Sequence, residues 1–183
     1  MSLTRIIQPI FASRRRALDK YQTQAEQLQM QVLHRLVNKA KDTEWGRNHG
    51  FASVSSYEDF AKTSDVNTYE ELKLAIDRMR QGESDILWPG KVRWYAKSSG
   101  TTNDKSKFIP VSKDGLKDTH YAGGRDAVTW YLRNNPQSRI FDGKALILGG
   151  SHVPNYNTKN SLVGDLSAIL IENINPLINL VRV

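Results

Sequence analysis

Around Trp88-Pro89-Gly90 the spacing of apolar residues changes from helical to strand-like, and this switch limits the chain to a mixed α/β architecture. Upstream, Leu18, Tyr21, Ala25, Leu28, Val32, Leu36 and Ala40 recur every three or four residues with Gln, Glu and Lys between them. That spacing predicts one long amphipathic helix over 18–40, which gives way near Trp45-Gly46. Two shorter helices follow, each opened by a capping box: Ser55 with Glu58, and Thr68 with Glu71. Leu72, Ile76 and Met79 form a stripe on the second, read as core, and Gly82 ends it.

Downstream, Val92 to Ala96 roughly alternates and Phe108-Ile109-Pro110-Val111 is a second short apolar run. Ser112 is placed to cap a helix from about Lys113 to Arg133. Gly123-Gly124 inside that helix costs about 1 kcal/mol per glycine relative to alanine, which suggests a close approach there. Ala145-Leu146-Ile147-Leu148 reads as a buried-type strand opening into Gly149-Gly150-Ser151-His152, and Leu166 to Ile171 is a last apolar stretch. The expected organisation is one partial domain over 1–183, with a helical amino-terminal layer (1–90) and a β-rich part (91–183).

Charge raises the question of nucleic acid, since the net value is +7. By position it divides into +5 over residues 1–50, −1 over 51–97 and +3 over 98–183. The densest run, Arg14-Arg15-Arg16, stands just before a predicted helix, and few aromatics sit among the basic residues, so the charge is read as solvated and no nucleic-acid partner is expected. No apolar run approaches the roughly 18 residues of a membrane helix. The Ile6 to Ala12 patch precedes its basic cluster instead of following it, the reverse of a secretory signal, so no membrane association is expected. With no cysteine there are no disulfides and no thiolate chemistry, which fits a cytoplasmic protein.

Between the two strand runs lies Ser98-Ser99-Gly100-Thr101-Thr102-Asn103-Asp104-Lys105-Ser106-Lys107. Phosphate oxygens are held by such groups. A glycine lets the backbone turn close to an anion, successive N–H groups form a concave nest, hydroxyls donate further hydrogen bonds, and a lysine supplies a point charge. The segment is not a Walker A loop, because Lys105 stands where the second glycine would be and a strand follows instead of a helix. Spacing alone leaves a flexible polar turn as the alternative.

The segment resembles the first signature of the adenylate-forming superfamily, a Ser/Thr-Ser-Gly-Thr-Ser/Thr run followed shortly by lysine. In order along the chain stand Asp42-Thr43-Glu44-Trp45-Gly46, Ser56-Tyr57-Glu58-Asp59-Phe60, Ile86-Leu87-Trp88-Pro89, Lys107 to Ser112, Gly149 to His152 and Gly164-Asp165-Leu166-Ser167-Ala168. Together they resemble the Gretchen-Hagen acyl acid amido synthetases, an auxin-responsive family that also has bacterial members, here of the bacterial type. The resemblance covers nearly the whole chain. It implies the incomplete large domain of an adenylate-forming fold, with amino-terminal helices packed on part of a β-sheet. It also implies an ATP- and Mg2+-dependent ligase that converts a carboxylic acid to an acyl-adenylate and passes the acyl group to an amine or amino acid. By resemblance Ser98, Ser99, Gly100, Thr101 and Thr102 cradle the β- and γ-phosphates and Lys107 is the motif's lysine, with the catalytic role. Asp104 departs from the second glycine of many relatives. The family's later signatures are absent, so the chain is read as an amino-terminal fragment whose partner is the carboxy-terminal part of the same protein, inactive alone.

Arg125 and Trp130 are candidates to meet a substrate carboxylate and its apolar body, and His152 to line the acyl pocket, with packing, solvation or loop ordering as the alternatives. The four histidines, His34, His49, His120 and His152, lack metal-ligand spacing, and no metal site is expected from them. The competing functional reading is a non-catalytic nucleotide- or phosphate-binding module.

Overall fold

The computed structural model describes residues 2–63, 65–98 and 106–176. In chain order its elements are α1 (Leu3–Asp19), α2 (Ala25–Ala40), α3 (Glu44–Asn48), α4 (Tyr57–Thr63), α5 (Tyr69–Arg80), β1 (Trp94–Lys97), β2 (Phe108–Val111), α6 (Lys113–Gly115), a π-helical stretch (Leu116–Tyr121), α7 (Ala122–Asn134), β3 (Leu162–Gly164) and α8 (Leu166–Glu172). They fall into two compact units. The first holds the chain up to Ala25, Asp114–Gly149 and the residues from Leu170; the second holds Glu26–Lys113 and Gly150–Ile169. No helix among the described residues is long and apolar enough to cross a membrane.

The helix predicted over 18–40 is interrupted by a 3-10 turn at Lys20–Gln22, and its first part extends back to Leu3. Of its predicted apolar stripe, Leu18 is buried in the first unit and Ala40 in the second, whereas Tyr21, Val32 and Leu36 are exposed and Val37, beside the stripe, is buried instead.

In the first unit α1 lies against α7, where Leu18, Thr129 and Leu132 are buried. Arg14 of α1 forks onto Asp126 of α7 with both bonds at 2.6 Å, a geometry that adds direction to the pairing. The opening turn of α1 is capped from far along the chain. Asp142 Oδ1 accepts from the Thr4 backbone N–H at 2.9 Å, the Ser2 hydroxyl at 2.9 Å and the Thr4 hydroxyl at 3.0 Å, and Arg139 Nε donates to Oδ2 at 2.7 Å. The Thr4 N–H bond first, then Arg139, hold the Asp142 carboxyl well below the usual carboxylate range. A depressed carboxyl adds stability that is complete above its unfolded value of about 3.9 and is lost as pH falls through the folded value. Acid titration below about pH 4 is therefore expected to loosen α1. Asp142→Asn should flatten that acid limb, as circular dichroism melts between pH 2 and 6 would report.

The π-helical stretch at Leu116–Tyr121 widens the helix predicted over 113–133, and the helix runs on to Asn134. Among the described residues the close approach expected at Gly123-Gly124 is not found: a Cβ on either would meet none of their atoms within 4 Å. Ala145 to Leu148 also differs from the predicted buried strand. Leu146 and Leu148 are 71% and 86% exposed, and among the described residues no strand pairs alongside them. A fully apolar run signals a strand covered on both sides, and that cover is not supplied by the described residues.

The second unit is built on a three-stranded sheet of order β2-β1-β3, with β1 antiparallel to β2 and parallel to β3. Tyr95, at the centre of β1, is fully buried against Ile76 and Met79 of α5 and against Ile86, Val92 and Val163. Helix packed on part of a sheet is the fold class the sequence predicted. Burial pushes the Tyr95 phenol up to about 12. The stripe read as core is core: Ile76 and Met79 are buried and Leu72 packs against them. Thr68 and Glu71 form the predicted capping box, the Glu71 carboxylate accepting from the Thr68 N–H at 2.6 Å. The box before α4 is shifted one residue from Ser55 and Glu58. Asp59 donates its N–H to the Ser56 hydroxyl at 3.0 Å, and the Asp59 carboxylate accepts from the Ser56 N–H at 3.1 Å. Asp at the third helical position does what Glu58 was expected to do because its carboxylate reaches both Ser55 and Ser56.

Candidate functional site at the neck of the β1–β2 hairpin

The Ser98–Lys107 segment joins two adjacent antiparallel strands. Register is set by Lys97 opposite Phe108 and Tyr95 opposite Pro110, and Ser98 then donates its N–H to the Lys107 carbonyl at 2.9 Å. The sheet thus brings the first and last residues of the phosphate motif together as the neck of a loop. Ser99, Gly100, Thr101 and Thr102, with Asp104 and Lys105, lie outside the described residues.

Four side chains grip that neck. Tyr69, at the start of α5, accepts the Phe108 N–H on its hydroxyl at 2.9 Å, and the Lys107 ammonium stands 5.4 Å from the centre of its ring. Arg80, at the end of the same helix, lays its guanidinium 3.9 Å from the centre of the Phe108 ring and donates from Nη2 to the Tyr156 carbonyl at 2.8 Å. Arg80 Nε is buried with no hydrogen-bond partner among the described residues. The Tyr156 ring meets Phe108 at 5.7 Å and carries the Lys97 ammonium 4.2 Å from its centre. The first and last residues of α5 therefore both contact Phe108, the first residue of β2. The motif reading named Ser98 and Lys107 but missed Lys97, Arg80, Tyr69 and Tyr156. Lys97 adjoins the motif and was legible there as a third cation; the others are too distant in sequence for spacing to have found them.

His152 sits on a separate loop of the same unit. It bridges to Gly164 of β3, and its ring faces Trp94 of β1 with centroids 5.5 Å apart. The rest of Gly149-Gly150-Ser151-His152 is bolted to the turn into α8. The Ser151 N–H donates to the Asp165 carboxylate at 2.9 Å, the Gly150 N–H to the Ser167 hydroxyl at 2.8 Å, and the Asp165 N–H to the Ser151 carbonyl at 2.9 Å. A Cβ on Gly150 would lie 2.2 Å from the Asp165 carboxylate, which accounts for glycine there. Two of the family-like segments of the sequence are thus halves of one contact.

Arg125 and Trp130 lie on α7 in the first unit. Arg125 is exposed, 4.0 Å from the carboxylate of Asp126, and the Arg133 guanidinium stands 4.7 Å from the centre of the Trp130 ring. Among the described residues no three His, Asp or Glu side chains are grouped to hold a metal.

The fold defines the class first. A structure of GH3.15 acyl acid amido synthetase in complex with 2,4-DB superposes with a TM-score of 0.72 over 91% of this chain and 28% of that one, at 21% identity. The family model for the GH3 family N-terminal domain matches residues 14–179. The chain belongs to the GH3 family, the Gretchen-Hagen group that its motifs resemble. Indole-3-acetic acid-amido synthetase GH3.6 of Arabidopsis thaliana is 28% identical over 95 residues, 51% of this chain and 16% of that protein. GH3.15 of the same plant is 31% identical over 101 residues, 55% of this chain and 17% of that protein. The chain therefore corresponds to an amino-terminal portion of synthetases several times its length.

Proposed function

We propose that this chain is the amino-terminal, phosphate-holding part of an ATP-dependent acyl acid amido synthetase. The observation that supports it best is the hairpin neck, where the signature's Ser98 and Lys107 are joined by a backbone hydrogen bond inside a GH3-family fold. In the first step a carboxylate oxygen attacks the α-phosphorus of ATP and the bond to the β-phosphate oxygen breaks, giving an acyl-adenylate and pyrophosphate. In the second an amine attacks the acyl carbon and AMP leaves, giving an amide. A carboxylate becomes a usable electrophile only with such a leaving group, and charge growing on the departing pyrophosphate is best met by donors already fixed in place.

In this reading Ser98, Ser99, Gly100, Thr101 and Thr102 donate to the β- and γ-phosphates, and the Lys107 ammonium turns from the Tyr69 ring to the same oxygens. Mg2+ would neutralise the phosphates it arrives with. Arg125, Trp130 and His152 are proposed to serve the acyl acid. Relatives named for indole-3-acetic acid, and the 2,4-DB complex, support an aromatic or otherwise apolar carboxylic acid as the substrate class. Lack of cysteine and use of ATP suit the cytoplasm. With the full-length protein, labelled pyrophosphate is expected to enter ATP only when a suitable carboxylic acid is present. Failure across a panel of aryl and alkyl carboxylates would overturn the ligase reading, and ATP binding without exchange would identify a nucleotide-binding module.

A further inference from the structure

We propose that Lys97 is a second polyphosphate-binding cation, parked on the Tyr156 ring and swung onto the nucleotide when it binds. The inference rests on the nucleotide reading of the loop and extends it by one residue of the site. Lys97 is the last residue of β1, directly before Ser98 and opposite Phe108, so the two strands deliver one lysine each to the neck: Lys97 on one side, Lys107 on the other. Neither ammonium has a carboxylate partner among the described residues; each rests on an aromatic face instead, at 4.2 Å and 5.4 Å. Elsewhere in the fold Arg14, Lys73, Arg78, Arg125, Arg133 and Arg139 each stand within 4.0 Å of a carboxylate, Arg133 while also resting on the Trp130 ring.

An ammonium on a partly exposed ring is weakly held, whereas a charge-assisted bond to phosphate is stronger and shorter. The ring is a seat that a polyanion can empty at little cost. Arg80 braces the arrangement, its guanidinium lying on the Phe108 face while Nη2 donates to the Tyr156 carbonyl. It keeps the Tyr156 segment and β2 together, and with them the position from which Lys97 departs. Tyr95 and Lys97 are two residues apart on β1, so both project to the α5 side of the sheet, and the buried Tyr95 anchors the strand while Lys97 lies at its half-buried rim.

The test is calorimetric titration of the full-length protein with ATP, inorganic tripolyphosphate and adenosine. Lys97→Met is expected to weaken ATP and tripolyphosphate about tenfold and leave adenosine unchanged, while Lys97→Arg, which keeps the charge, should stay within about threefold of the parent. A thermal melt of each variant separates lost binding from lost folding. Undiminished tripolyphosphate affinity in Lys97→Met, with a weakened Lys107→Ala, would overturn the proposal and leave Lys97 a packing residue on Tyr156. Equal weakening in Lys97→Met and Lys97→Arg would overturn it as well, since charge would not be what matters. If tripolyphosphate fails to bind the parent and Lys107→Ala changes nothing, the nucleotide reading itself falls.

Discussion

Lys107→Ala in the full-length protein is expected to slow carboxylate-dependent pyrophosphate exchange about a hundredfold, the usual cost of removing one preorganised group that stabilises charge in the transition state. The loss should appear in both ATP affinity and the maximal rate, because Lys107 meets the bound phosphates and charge then builds on the departing pyrophosphate. The same variant should fold normally. Lys107 is exposed and its described side-chain contact is the Tyr69 ring, so stability should change by less than about 1 kcal/mol. The hairpin neck is closed by the Lys107 backbone carbonyl, which alanine retains. Exchange at the parent rate, measured at saturating ATP and acid, would remove Lys107 from the mechanism. A fall in exchange matched by a fall in melting temperature would assign it to structure instead.

Gly46→Ala should do the reverse, lowering stability at a residue to which no chemistry is assigned. Gly46 is buried where α2 turns into α3. A Cβ there would stand 2.1 Å from the Ala40 carbonyl oxygen and 2.9 Å from Lys41 Cα, both backbone atoms that no side-chain rotation can move away. The turn itself is tightly specified. Buried Thr43 donates its hydroxyl to the Ala40 carbonyl at 2.6 Å and accepts the Gly46 N–H at 3.0 Å. The next donors are also committed: the Glu44 and Trp45 N–H groups reach the Asp85 and Ile86 carbonyls at 2.7 and 3.0 Å. To admit a methyl, α3 must retreat from Ala40 and break several of these bonds together. A loss of at least about 3 kcal/mol is expected, or roughly 6–12 °C in the melting temperature of a chain of 183 residues. Differential scanning calorimetry would read this, and a shift under 2 °C would show that the turn is softer than its geometry implies.

Gly46 also explains why Asp42-Thr43-Glu44-Trp45-Gly46 stands out as a family-like segment although it touches no candidate ligand site. Thr43 and Gly46 are needed by the turn, and Glu44 pairs with Arg78 at 2.7 and 2.8 Å. The Gly149–His152 and Gly164–Ala168 segments have a similar origin in Gly150 against Asp165. Much of what carries the family resemblance is therefore steric necessity in the scaffold, and the Ser98–Lys107 hairpin is the part where chemistry is expected.

Local rules read from the sequence held where a single element decides the outcome. The α5 stripe, its Thr68–Glu71 cap, the stop at Gly82 with φ +101°, and strands at 94–97 and 108–111 all follow from periodicity and turn chemistry acting within a few residues. The Ser98–Lys107 segment stands out in the sequence for the same reason, since its residues are contiguous, and its phosphate role is the proposal made above. Tertiary structure decided the rest. It interrupted the 18–40 helix at Lys20–Gln22, buried Val37 in place of Leu36, and shifted the α4 cap from Ser55–Glu58 to Ser56–Asp59. Above all it made a lysine outside the motif part of the site. Lys97 acquires meaning only when Tyr156, 59 positions along the chain, is carried to its side by β3 pairing with β1, and long-range strand pairing is the one interaction that residue spacing does not encode.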